Sequence, residues 1–103
     1  MSILVRYAPT SLSAEQYDRV SERLQAAGNW PPSGLQAHVC FGSGDSLRVS
    51  EVWESREQLE AFGDVLMPIL RDEGIDVEST QPEFFEIHAL LLHEASIPPA
   101  GSG

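Results

Sequence analysis

Two polar residues stand where apolar ones would be expected. His38 lies in the middle of "LQAHVCF", residues 35–41, and Glu51 in the middle of "RVSEVWE", residues 48–54. Both segments read as β-strands, and an imidazole or a carboxylate buried in a sheet is costly unless each polar atom finds a partner. His38 therefore has two readings. It is a core histidine bonded to a backbone carbonyl, or it lines a pocket as an acid, base or donor, the role that suits a group titrating near neutral pH. Glu51 has two readings as well: a cross-strand ion pair with Arg6 or Arg48, or a carboxylate that orients His38 or contacts a ligand.

Other side chains could complete such a site. Trp53, Tyr7 and Tyr17 are either core or ligand wall. Trp30, in the Pro-rich "NWPPSG", is either a lid over a pocket or an interface contact. His88 sits in "FEIHA", which matches "LQAHV" in its polar second residue and its fourth-position histidine, so it is structural or a second site histidine. Cys40 lies two residues from His38 on the same strand face. It is an inert buried thiol or half of a Cys–His pair. No metal site is expected, because His38, His88 and His93 lack tight ligand spacing and Cys40 is the only cysteine. "GSGD" lies between two strands rather than opening a helix, so no nucleotide cofactor is expected.

The elements that must position these residues follow from periodicity. Residues 3–8 read as a first strand. Ser13 and Gln16 form a capping box, with Leu12 placed to staple against Tyr17. Tyr17, Val20, Leu24 and Ala27 then make one helical stripe, which Gly28 ends. Residues 35–41 and 47–53 are the second and third strands, joined by hairpin chemistry around "GSGD". Ser55 and Gln58 suggest a second capping box, followed by the stripe Leu59, Phe62, Leu66, Ile69, Leu70. Pro68 is expected to kink that helix or convert its last turn. Residues 84–91 read as the last strand, and 94–103 as a flexible tail beyond a single domain of residues 1–93. Faint internal symmetry accompanies the βαββαβ order: "SAEQY" at 13 matches "SREQL" at 55, and Arg6 and Arg48 share that offset.

Whether His38 and Glu51 meet depends on register. A five-residue loop over 42–46 sets His38 against Ser50 and points the two to opposite faces. A four-residue loop sets His38 against Val49, and His38, Glu51 and Trp53 then share a face. One residue of slip moves a whole side-chain set. The shared face is the expectation, because it gives both polar residues one reason to be there.

Composition narrows the partners. The chain has 103 residues, enough for one core, with 42% apolar and 21% charged residues. Its net charge is −10, so it repels phosphate backbones and anionic lipid, and neither nucleic acid nor membrane is an expected partner. The opening "MSILVRYAPT" lacks the basic region and length of a signal peptide, and the lone cysteine suits a reducing compartment, so cytoplasmic localisation is expected.

Two helices can cover only one face of a four-stranded antiparallel sheet. Strand two offers Leu35, Ala37, Val39 and Phe41 on one face with His38 and Cys40 on the other, and the last strand is apolar on both. A sheet wet on one side alternates more cleanly. A second copy of the chain is the expected cover, giving a homodimer. The βαββαβ order, the length and "VWESREQLEAF" resemble the dimeric α+β barrel superfamily, including small antibiotic-biosynthesis-monooxygenase-like proteins, over residues 1 to about 92. The resemblance implies an α+β, ferredoxin-like fold pairing into a barrel. It also implies a small organic ligand, aromatic or polyketide-like, and a cofactor-independent monooxygenase or isomerase. His38 would then move a proton and Glu51 orient it. Trp53, Tyr7, Trp30 and His88 would contact the substrate, and Arg48 would stabilise an anion. The rival is a non-catalytic binding or assembly protein in which these groups satisfy one another.

Overall fold

The computed structural model describes residues 2–79 and 81–92. The elements run β1 (Ile3–Tyr7), α1 (Ala14–Ala26), β2 (Leu35–Phe41), β3 (Arg48–Trp53), α2 (Arg56–Asp72) and β4 (Glu83–Glu86). The four strands form one antiparallel sheet in the order β2-β3-β1-β4, so each half contributes one central and one outer strand. Both helices pack on the same face, and the core of Val5, Leu24, Trp53, Leu59 and Phe62 lies between them and the sheet.

Local chemistry explains the helices. Ser13 caps α1 with a complete reciprocal box, its Oγ accepting from the Gln16 N–H at 3.1 Å while Gln16 Oε1 accepts from the Ser13 N–H at 3.0 Å. The α1 stripe buries Val20 and Leu24, whereas Ala27 is the exposed C-cap. Only half of the second box forms. Ser55 Oγ accepts from the Gln58 N–H, but the Gln58 side chain donates to Glu54 instead of returning to the cap backbone. It lies flat over Gly34, where a Cβ would come within 2.5 Å of Gln58 Cδ and where φ is +94°. Close approach and a left-handed backbone both require glycine there. α2 runs past Pro68 to Asp72 without converting its last turn. Pro68 is exposed, so solvent can satisfy the carbonyl that it leaves unbonded. The C-terminal end of α2 is tied to α1 by Arg19 and Arg23, whose bonds hold the Glu73 carboxyl below the usual carboxylate range.

Three expectations need correction. The hairpin register is neither of the two anticipated: His38 lies directly opposite Glu51 and Phe41 opposite Arg48, so the connection is 42–47. Leu47 is drawn out of β3 because its N–H donates to the Leu12 carbonyl at 3.0 Å. Second, an irregularity between Leu35 and Ala37 turns Leu35 to the helix side, opposite Trp53. The outer face of β2 therefore carries Ala37, Val39 and Phe41 without Leu35. Third, β4 ends at Glu86, not Leu91. Its partner is Ile3, where β1 begins, so β1 has nothing left to pair with Ile87 onward. The expected tail, residues 94–103, lies outside the described residues.

Candidate active site

Strand alternation decides which side chains meet. Tyr7 and Val5 on β1, Val49, Glu51 and Trp53 on β3, and His38 and Cys40 on β2 are register partners or next-but-one neighbours, so all face the helices. Arg6 and Arg48 fall on the opposite face, paired with Ser50 and Phe41. Neither arginine can neutralise Glu51, and the cross-strand ion pair envisaged for it does not form.

The partner of Glu51 is His38. Nδ1 of His38 lies 2.6 Å from Glu51 Oε2, and the Trp53 indole N–H donates to the other carboxylate oxygen at 3.0 Å. Nε2 of His38 lies 2.6 Å from the Tyr17 hydroxyl. Four side chains from α1, β2 and β3 thus form one hydrogen-bonded line. Its inner end is dry, with Trp53 at 0% and Glu51 at 6% exposure. A carboxylate only accepts, so opposite an ionised Glu51 the imidazole carries its proton on Nδ1. Nε2 is then the acceptor and the Tyr17 O–H the donor. Burial first, then the neighbouring Cys40, pushes the Tyr17 phenol up to about 12, which keeps it a neutral donor. Burial, with Glu51 second, raises Tyr7 in the same direction. Burial also raises the Cys40 thiol, and with both His38 nitrogens engaged elsewhere no Cys–His pair forms.

This line borders a cavity of about 240 Å³ between the sheet and the helices. Tyr7, Tyr17, Ser21, His38 and Glu51 form its polar end. The rest of the wall is chiefly apolar, including Leu24, Phe62, Leu66, Leu70 and Phe84. Trp30 stands edge-on to His38, ring centres 5.0 Å apart, and also touches Phe62. An open groove outside shares Tyr17, Ser21, Trp30 and His38 with the cavity, so these four side chains separate the cavity from solvent.

The residues singled out in the sequence divide as follows. His38, Glu51, Tyr7 and Trp30 come together at the cavity. Trp53 stands behind Glu51 as its hydrogen-bond donor and is not part of the wall, because it is wholly enclosed. Arg48 is exposed on the far face, away from any anion the cavity would hold. His88 is exposed beyond the end of β4 and far in character from its apparent counterpart. Tyr17 belongs to the site more intimately than any of these three. The signal for it was its place as the hydroxyl-bearing member of the α1 stripe, where a polar atom turned toward the sheet needs a partner. Among the described residues no group of three or more His, Cys, Asp or Glu could hold a metal ion, and no helix is long and apolar enough to cross a membrane.

Comparison with known proteins gives likeness in structure alone. No protein-family model matches the chain, and no curated protein sequence does. Among solved structures, SnoaB, a cofactor-independent oxygenase from Streptomyces nogalater, superposes with a TM-score of 0.56 at 14% identity, covering 89% of this chain and 96% of its own. A candidate antibiotic biosynthesis monooxygenase from Deinococcus radiodurans gives a TM-score of 0.57 at 12% identity, covering 92% of this chain and 100% of its own. A protein of unknown function from Nitrosomonas europaea gives 0.60 at 19% identity, covering 91% and 94%. Identities this low carry the fold and nothing finer, and the fold is the one that the sequence resemblance implied: the chain has the ferredoxin-like α+β fold of the antibiotic-biosynthesis-monooxygenase-like proteins.

Proposed function

We propose that the cavity binds a small, largely apolar organic molecule, and that the protein is a cofactor-independent monooxygenase or isomerase acting on an aromatic or polyketide-like hydroxy compound. One observation carries this reading: a buried carboxylate–imidazole pair ends at an otherwise apolar cavity. Glu51 fixes the tautomer and orientation of His38, and His38 takes up the proton that the substrate releases. A hydroxylated ring so deprotonated is electron-rich enough to react with dioxygen directly, or to be reprotonated at another carbon. The description of the S. nogalater protein as a cofactor-independent oxygenase supports the first of these. A non-catalytic role is the second reading, favoured by the fact that both His38 nitrogens are already bonded to protein.

The test is a thermal-shift screen of neutral hydroxylated aromatics against native protein and His38→Ala. A ligand at about a hundred times its Kd stabilises native protein by about 2.7 kcal/mol. His38→Ala is expected to lose most of that response, and to be itself about 2 kcal/mol less stable, because Tyr17 and Glu51 each lose a partner. If no compound stabilises native protein, the non-catalytic reading stands instead.

We also propose that the open sheet face closes against a second copy of the chain. Val39, Phe41 and Phe85 are 54%, 39% and 43% exposed on the side that no helix covers. Obligate interfaces of this kind bury ~2,000 Å² or more. Light scattering at micromolar concentration should return a dimer mass, and a monomer mass would remove this part of the proposal. The acidic charge and single cysteine fit a reducing cytoplasm.

A further inference from the structure

The His38 ring has no free nitrogen, since Glu51 engages Nδ1 and Tyr17 engages Nε2. A molecule in the cavity cannot reach the imidazole lone pair without displacing Tyr17. The Tyr17 hydroxyl has the opposite property. It has one hydrogen and two lone pairs. With the hydrogen committed to Nε2, lone-pair capacity is left over, and Tyr17 lines the cavity.

We propose that Tyr17 is the residue that exchanges a proton with the ligand, with His38 and Glu51 acting behind it, and that the ligand is a neutral hydroxyl-bearing weak acid, an inference that rests on reading the cavity as a ligand site. The transfer balances without a redox partner. The ligand O–H bond breaks as a new O–H forms on Tyr17. The old Tyr17 O–H breaks as an N–H forms on Nε2. What results is the ligand anion, a neutral phenol, and an imidazolium paired with the Glu51 carboxylate, whose second oxygen keeps the Trp53 N–H. Because burial holds Tyr17 neutral, charge passes through it rather than stopping as a phenolate.

Charge selects the ligand class. The cavity wall includes Glu51 and Glu60 but no lysine or arginine. A carboxylate or phosphate ester would bring a further negative charge beside Glu51 into an apolar space with no cation to meet it. A neutral phenol or enol brings none, and its anion forms only together with the imidazolium.

The probe is para-nitrophenol, a neutral weak acid whose phenol and phenolate absorb at different wavelengths. Bound to native protein below its own titration midpoint, it is expected to show phenolate absorbance. Tyr17→Phe keeps the ring and loses the hydroxyl. It should still bind the probe, read from quenching of tryptophan fluorescence, while the bound phenolate fraction falls roughly tenfold or more with the loss of a charge-assisted hydrogen bond. Unchanged phenolate absorbance in Tyr17→Phe, or none in native protein that binds the probe, overturns the relay and leaves the cavity reading intact. Failure of native protein to bind the probe overturns both. A second measurement needs no variant. Nitrogen-15 NMR of native protein should find the His38 proton on Nδ1, and a proton on Nε2 of the neutral ring would reverse the Tyr17 bond and contradict the relay.

Discussion

Glu51→Ala is expected to cost about 3–4 kcal/mol of folding stability, a large share of the ~5–15 kcal/mol typical of a domain. The size follows from what the carboxylate holds. Its Oε1 accepts from the indole of Trp53, a residue with 0% exposure, and its Oε2 from His38. Removing the acceptor leaves two donors facing a space where Glu51 itself is 6% exposed. Each orphaned buried donor costs about 1–3 kcal/mol. Glu51→Gln separates the contact from the charge. Its amide oxygen can still accept from Trp53, but its NH₂ then faces His38 Nδ1, which must become an acceptor by moving the ring proton to Nε2. Tyr17 must in turn accept. Glu51→Gln should therefore fold with a loss of only about 1 kcal/mol while inverting the His38 tautomer. Denaturant unfolding measures the first effect and nitrogen-15 NMR the second. A Glu51→Ala protein within about 0.5 kcal/mol of native would mean that Trp53 and His38 do not depend on the carboxylate.

That line of side chains was partly legible in the sequence. His38 and Glu51 stood out because each interrupts an apolar strand, and the expectation that they share a face holds. The route to it was not legible. The connection of 42–47 is set by the Leu47 N–H bonding to Leu12, a contact across 35 positions that no local pattern encodes. The irregularity at Leu35–Ala37 is likewise invisible to simple alternation. Arg48 was legible and misjudged. It is three residues from Glu51 on one strand, so alternation alone sends it to the other face. The helices were the most readable elements, because Val20, Leu24, Leu59 and Phe62 repeat at helical spacing behind serine caps. Tyr17 was visible as part of that stripe, but its hydroxyl acquires meaning only once β2 sets His38 beneath α1.

The central claim is that the space between sheet and helices is a binding site and not a packing defect. Gly63 gives the most direct test. It lines the cavity from α2, and a Cβ at that position would meet no atom within 4 Å. Gly63→Leu should fill the space with an apolar side chain. Replacing glycine inside a helix gains about 0.5–1 kcal/mol, and burying the leucine adds about 1–2 kcal/mol. A gain of that size raises the melting temperature of a ~100-residue domain by roughly 5–15 °C. The decisive measurement is ligand-induced thermal stabilisation of native and Gly63→Leu protein, using a compound that stabilises the native chain. The account predicts a Gly63→Leu protein that melts higher on its own and gains almost nothing from the compound. A Gly63→Leu protein that responds to the compound as native protein does would place the binding elsewhere and contradict the account.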